Sequence, residues 1–243
     1  MPHNELAREL RLAYIGANFD GLCEEARRTR MGHADFLTEI FSREAEQRRQ
    51  NRVARKMREA RFPYKKTLQG MGLGEYDDEV GREIEELAAL QFIDNKENVI
   101  LVSNPGRGKT HLAIGLGTAA CLADMRVLFT NVPNLVIELK EAMSKNEITA
   151  YKRKFDCYEL VIIDELGYVS FDKQGNEILF NLLSNRNDAG SVVVTTNLAF
   201  ERWEEVFSDA NLTAALVDRL AHKAHVLDMS GESYRLKETQ GIR

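Results

Sequence analysis

The segment Ser103-Asn104-Pro105-Gly106-Arg107-Gly108-Lys109-Thr110 constrains this chain more than any other feature. It is answered further on by an apolar run, Leu160-Val161-Ile162-Ile163, that closes on Asp164-Glu165. A loop of the form G-x-x-x-x-G-K-[ST] belongs between a buried strand and the first turn of a helix. Leu101-Val102 before it and His111-Leu112-Ala113-Ile114 after it supply that context. Glycines at 106 and 108 let successive backbone N–H groups turn into one concavity, to which the helix adds the positive end of its dipole. A triphosphate fits such a cradle, so residues 104–111 (Asn104, Pro105, Gly106, Arg107, Gly108, Lys109, Thr110 and His111) are the expected nucleotide-binding segment. Lys109 reaches the β- and γ-phosphates as a point charge, and the Thr110 hydroxyl is a ligand for the magnesium ion that bridges them.

Ser103 stands where the pattern asks for glycine. Either it adopts a backbone geometry that glycine takes more easily, or the turn needs no positive φ there. The run from Leu160 to Ile163 has no polar alternation, as expected of a strand covered on both faces in a parallel sheet. Asp164 then emerges at the carboxyl end of that strand, where open α/β sheets bind ligands, and is placed to hold magnesium. Glu165 lies one residue on, where a carboxylate polarises the water that attacks the γ-phosphate. The residues alone therefore point to an ATPase. The bland alternative, solvated charges opening a loop, suits an isolated Asp-Glu better than one behind such a strand.

From about residue 76 onward, helical and strand patterns alternate: an acidic helix at 83–92, then strands at 99–102, 126–130, 160–164, 192–196 and 225–227. Helices fall at 109–123, 134–155, 176–188 and 211–222. Alternation of this kind builds an α/β, doubly wound parallel sheet, here of five strands. The acidic pair follows the third strand in the chain, the ordering that AAA+ ATPases show. Asn197 sits at the tip of the fourth strand, where it can orient the attacking water, and is equally a common turn residue. Arg219, in Leu216-Val217-Asp218-Arg219-Leu220, is either the polar face of an amphipathic helix or a side chain that enters the next subunit's nucleotide site. Arg235 is a further candidate for the γ-phosphate, with a solvated terminal arginine as its alternative.

The region before the sheet is different. Apolar residues recur at helical spacing (Leu6, Leu10, Ile15; Phe36, Leu37, Ile40, Phe41; Val53, Met57), which suggests three helices. The last starts near Ala34 and carries Arg43, Arg48, Arg49, Arg52, Arg55, Lys56, Arg58 and Arg61 against only Glu44, Glu46 and Glu59, a positive face about 35 Å long. Arg48, Arg49, Arg52, Arg55 and Lys56 are the expected DNA contacts, although such a helix can equally bind an acidic protein surface. Pro63 ends the helix, and Gly70, Gly72 and Gly74 form a break. The expected division is 1–66, a small basic all-α domain for DNA or a partner; 67–75, a linker; and 76–243, the ATPase domain. The net charge of −5 argues against indiscriminate binding to nucleic acid. No apolar run is long enough for a membrane span, no secretory signal is visible, and a cytoplasmic location is expected. Cys23, Cys121 and Cys157 are too scattered for a metal cluster and odd in number for disulfides.

The phosphate loop, Ile162-Ile163-Asp164-Glu165-Leu166-Gly167-Tyr168, Thr195-Thr196-Asn197-Leu198, Asp218-Arg219-Leu220 and Gly231-Glu232-Ser233-Tyr234-Arg235-Leu236 occur in one order along the chain. Together with Ala60-Arg61-Phe62-Pro63-Tyr64, they resemble the IstB family, AAA+ helpers encoded beside the transposase of bacterial insertion sequences and related to the DnaC and DnaI helicase loaders. The resemblance implies an ATP-dependent oligomer, a ring or a helical filament, that forms on double-stranded DNA and recruits and stimulates its cognate transposase. It also implies roles: Lys109 and Thr110 for nucleotide and magnesium, Asp164 and Glu165 for magnesium and hydrolysis, Asn197 as γ-phosphate sensor, Arg219 as the finger. Arg235 matches the second sensor, but the chain continues only from 228 to 243 past its last expected strand, without room for the full helical lid of other AAA+ proteins. A replicative helicase loader is the alternative function. A small-molecule P-loop kinase is a weaker one, because no insertion between strands offers a substrate lid.

Overall fold

The computed structural model describes residues 3–71, 76–168, 172–186, 189–207 and 209–229. Two compact units, Met1–Arg55 and Lys56–Arg243, divide the chain. The first contains α1 (His3–Glu9), α2 (Ala13–Thr29) and most of α3 (His33–Glu59), the three helices that the apolar spacing predicts. Their buried core is small: Ile15, Leu22 and Ile40, with Leu12, Tyr14, Phe19 and Phe36 packed around them. A polar tie supplements it. The N-terminus of α2 has no side-chain cap of its own; the buried Glu44 of α3 instead accepts the N–H groups of Tyr14 (2.9 Å) and Ile15 (3.1 Å). A carboxylate here satisfies orphan donors and meets the positive end of the helix dipole.

The second unit is a five-stranded, all-parallel sheet in the order β2-β3-β4-β1-β5. Its strands are β1 (Asn98–Val102), β2 (Val127–Asn131), β3 (Leu160–Leu166), β4 (Ser191–Thr196) and β5 (Ala224–Asp228). Alternate residues serve opposite faces. Val99, Leu101, Val127, Phe129, Leu160, Ile162, Val193 and Leu227 pack beneath α4 (Asp78–Ala88), α5 (Gln91–Asp94) and α6 (Lys109–Leu122). Ile100, Leu128, Val161, Ile163, Val192 and Val194 face α7 (Val132–Ser144), α8 (Ile148–Asp156), α9 (Lys173–Ser184), α10 (Glu204–Phe207) and α11 (Ala210–Ala221). Covered on both sides, the central strands carry unbroken aliphatic runs at 99–102, 160–163 and 192–194, and the expected fold class holds.

Local differences have local causes. The acidic helix begins earlier than the sequence pattern suggests and breaks in two at Leu90, whose φ is +63°. The helix after β2 begins at Val132 because Asn131 caps it, accepting the N–H of Asn134 at 3.0 Å. Short helical turns at Leu68–Gly70 and Phe200–Arg202, and α10, occupy stretches without a helical pattern long enough to read. Residues 56–71, which the sequence divides between the basic domain and the linker, pack with the sheet. Ala60 is fully buried, its carbonyl accepts from the Phe129 N–H (2.8 Å) at the edge of β2, and Phe62 and Leu68 join the same core. A Cβ on Gly117 would come within 2.7 Å of the Ile162 side chain and 2.9 Å of the Phe62 ring, so both side chains close in on α6 at this glycine. Arg186 is fully buried and, among the described residues, has no acidic hydrogen-bond partner; it donates to the carbonyls of Phe155, Tyr158 and Ser191, and burial pushes its pKa down to about 10. Among the described residues no helix is long and apolar enough to cross a membrane.

Candidate functional site

The chemistry-bearing residues meet at the carboxyl ends of β1, β3 and β4. The loop after β1 turns through Gly106 and Gly108, both at φ +87°. Ser103 has no positive φ, so of the two readings of that position the second holds: the turn needs no left-handed residue there. Its amide bonds the Thr196 carbonyl on β4 (3.3 Å), fastening the start of the loop to the sheet. Lys109, buried in the first turn of α6, donates its ammonium to the Ser103 carbonyl (2.6 Å), the Ser103 hydroxyl (2.9 Å) and the Asn104 carbonyl (3.1 Å).

Thr110 follows on α6 and donates to Asp164 Oδ1 at 2.9 Å, joining the phosphate-loop motif to the acidic strand. Asp164 is 7% exposed, and Thr195 Oγ1 donates to the same oxygen at 2.6 Å. Between the register pairs Ile163↔Val194 and Leu166↔Thr196, β3 holds two residues where β4 holds one. Glu165 occupies this bulge at φ +64°, with its side chain exposed. A bulge of this kind re-aims a side chain and is rare in parallel sheets. Beyond it, Gly167 at φ +107° lets Asn197 approach: a Cβ there would stand 3.2 Å from Asn197 Oδ1. That oxygen is buried and, among the described residues, has no hydrogen-bond partner.

Other residues of the motif face elsewhere. Arg107 is 7% exposed; its Nε donates to the Met229 carbonyl (3.0 Å) after β5, and its guanidinium lies 5.4 Å from the Tyr76 ring. Tyr76 in turn donates its hydroxyl to the Arg107 carbonyl (2.8 Å) and leaves no room for a Cβ on Gly108. Tyr76 has no sequence signature; only packing against the loop reveals it. His111 Nε2 bonds the Thr67 carbonyl (3.1 Å), tying α6 to the segment before it, and burial lowers its pKa against that hydrogen bond. Arg219 lies exposed near the end of α11 with its guanidinium 5.1 Å from the Phe180 ring of α9. Arg235 falls outside the described residues.

On α3, Arg48, Arg49, Arg52 and Arg55 are exposed. Arg48 bonds Glu44 (2.9 Å) and the Arg11 carbonyl. Arg49 grips both oxygens of Glu46 (2.8 and 2.9 Å), which holds that carboxyl down at about 2. Lys56 is turned inward: its side chain is 13% exposed and paired with Asp124 at 2.6 Å.

The sequence profile of the family described as IstB-like ATP binding protein matches residues 5–241. A Pseudomonas aeruginosa protein, named for ATP binding and for insertion sequence IS21, is 34% identical over 96% of this chain and 88% of its own length. A Geobacillus stearothermophilus protein, named in the same way for insertion sequence IS5376, is 30% identical over 97% and 94%. Among solved structures, AMPPCP-bound DnaA from Aquifex aeolicus superimposes with a TM-score of 0.61 at 15% identity, over 75% of this chain and 55% of that longer one. DnaI gives 0.56 at 18% identity over 70% and 90%. At such identities the likeness is one of fold, that of the AAA+ P-loop proteins.

Proposed function

Because the chain belongs to the IstB-like ATP-binding protein family, we propose that it is an ATP-hydrolysing switch that assembles on double-stranded DNA and recruits its transposase. The observation that carries hydrolysis is the bulge on β3. It separates the two acids of one strand into different environments: Asp164 buried and bonded to Thr110, Glu165 exposed at the mouth. The residues fit the triphosphate. The loop glycines are in the left-handed region, the Lys109 ammonium lies on the Ser103 and Asn104 carbonyls of the loop, and a buried amide oxygen of Asn197 has no hydrogen-bond partner among the described residues.

In this reading Lys109 and the backbone of 104–110 hold the phosphates, and Thr110 and Asp164 hold magnesium, which neutralises phosphate charge when bound. Glu165 accepts a proton from the attacking water, and Asn197 orients that water from β4. Arg219 acts in a neighbouring subunit, which makes hydrolysis depend on assembly, and Arg235 is a second candidate for the γ-phosphate. Arg48, Arg49, Arg52 and Arg55 contact DNA phosphates, which positions the duplex without reading its sequence. The assembly is a ring or a helical filament that presents these contacts repeatedly.

Sedimentation with ATP, ADP or no nucleotide, with and without duplex DNA, tests the proposal on the wild type and Glu165→Gln. The expected outcome is a large species that needs ATP and DNA together and persists in Glu165→Gln, whose turnover falls by about 10²- to 10⁴-fold. A protein that stays small on DNA in every nucleotide state would overturn the DNA switch and favour a helicase-loader function.

A further inference from the structure

Thr195 is the one residue of β4 that faces both acids of β3, and neither the motif nor its spacing assigns it a role. With Ile163 paired to Val194 and Leu166 to Thr196, Asp164 and Glu165 share this single partner. Its side chain serves each of them. Thr195 Oγ1 accepts the Glu165 N–H at 3.0 Å and donates to Asp164 Oδ1 at 2.6 Å. Thr195 is 2% exposed, so water has no access to take over these bonds.

The directions follow from the hydroxyl itself. A threonine hydroxyl has one proton and two lone pairs. Its proton goes to the carboxylate, so the backbone amide must meet a lone pair. In an unbroken parallel ladder the Glu165 N–H would find a carbonyl on β4. In the bulge it finds the hydroxyl instead, and an amide left unpaired at this depth would be costly. The left-handed φ of Glu165, uncommon for a residue other than glycine, costs free energy that its surroundings must offset.

Asp164 shows the complementary effect. Thr110 and Thr195 both donate to Oδ1, and among the described residues no hydrogen bond reaches Oδ2. One carboxylate oxygen is thus fixed by two hydroxyls, which orients the other for a ligand. We propose that Thr195 is a positioning residue for ATP hydrolysis: one hydroxyl holds Glu165 in its left-handed, outward-aimed conformation and fixes the rotation of the Asp164 carboxylate. The proposal rests on the ATPase reading above. It predicts that losing the hydroxyl impairs turnover and the use of magnesium, whereas magnesium-free nucleotide binding, which the loop and Lys109 carry, remains.

The test compares wild type, Thr195→Ser, Thr195→Val and Thr195→Ala, and adds Thr195→Val to Glu165→Gln. Steady-state ATP turnover is measured across a magnesium titration, and ATP affinity is measured in EDTA. Thr195→Val is expected to lower kcat by about tenfold to a hundredfold, as for a lost hydrogen bond to a charged group. It should also raise the magnesium concentration for half-maximal turnover severalfold, with affinity in EDTA within about threefold of wild type. Thr195→Ser restores the hydroxyl and should recover most of the rate. On the Glu165→Gln background and at saturating magnesium, Thr195→Val should add little further loss, because residues acting as a unit are not additive.

Wild-type turnover in Thr195→Val, or a full multiplicative loss on the Glu165→Gln background at saturating magnesium, would overturn the proposal. If Thr195→Val melts early, Thr195→Ala carries the same comparison without a branched apolar group at the carboxylate. If Thr195→Ser fails to recover the rate while keeping affinity in EDTA, the methyl group rather than the hydroxyl matters and the proposal falls. A wild type that binds but does not hydrolyse ATP would instead overturn the ATPase reading itself.

Discussion

At Lys109 the loop competes with any phosphate for the same ammonium. Its acceptors include the backbone carbonyls of Ser103 and Asn104 and the Ser103 hydroxyl, which glycine at that position would lack. Ser103 has no positive φ, so the backbone there does not require glycine. The cost of serine thus falls on the lysine's release rather than on loop geometry. Ser103→Gly is expected to tighten ATP binding severalfold, up to about tenfold, the scale of one hydrogen bond. It should also lower stability by about 0.5–1 kcal/mol through the added freedom of the unfolded chain. Fluorescent-nucleotide titration and urea unfolding measure the two effects separately. An unchanged or weaker affinity would mean that the hydroxyl stays on Lys109 in the bound state as well. The residue scale also marks how far sequence could reach: Thr110 and Asp164, each in a contiguous motif, share a hydrogen bond. Tyr76 and Thr195 are invisible there, because one is placed by loop packing and the other by strand register.

At the scale of elements, strands were easier to read than junctions. An aliphatic run buried on both faces announces β3, but its bulge depends on which residue of β4 it pairs with, and pairing is not written in either strand alone. The capping of α2 is non-local in the same way, since its acceptor Glu44 lies on α3. Burial raises the Glu44 pKa, while the Ile15 and Tyr14 amides and Arg48 lower it, and the lowering prevails. A carboxyl whose folded pKa is depressed adds stability above its unfolded value, near 4.5 here, and loses that contribution as pH falls through the lower folded value. The first unit is therefore expected to weaken below about pH 4.5. Glu44→Gln should cost about 1–3 kcal/mol at pH 7 and progressively less as the wild type protonates. Hydrogen exchange at the Tyr14 and Ile15 amides reports this locally, whatever the second unit does. Equal exchange in wild type and variant at pH 7 would show that the carboxylate does not hold the helix end.

For the molecule as a whole, a net charge of −5 means that DNA can be held only where cations are locally concentrated. In the proposed function the arginines of α3 supply that concentration, and their surroundings rank them. Arg49 is paired with Glu46 in an exposed ion pair, with side chains 55% and 48% exposed, and such pairs open readily to a better anion. Arg48 is committed to a buried carboxylate that also caps α2, and to the Arg11 carbonyl. Lys56 is covered and paired with Asp124. Removing one cation that neutralises a DNA phosphate flattens the plot of log affinity against log salt by about 0.9. Replacing Arg48, Arg49, Arg52 and Arg55 together by Gln is accordingly expected to reduce the slope by up to about 3.6. Among single changes, Arg49→Gln should remove more slope than Arg48→Gln, and Lys56→Gln almost none, although all three remove the same charge. Fluorescence anisotropy on one duplex at several salt concentrations distinguishes these outcomes. If the three changes act equally, net charge rather than this helix face controls binding; if the quadruple variant keeps the wild-type slope, the DNA lies on another surface of the protein.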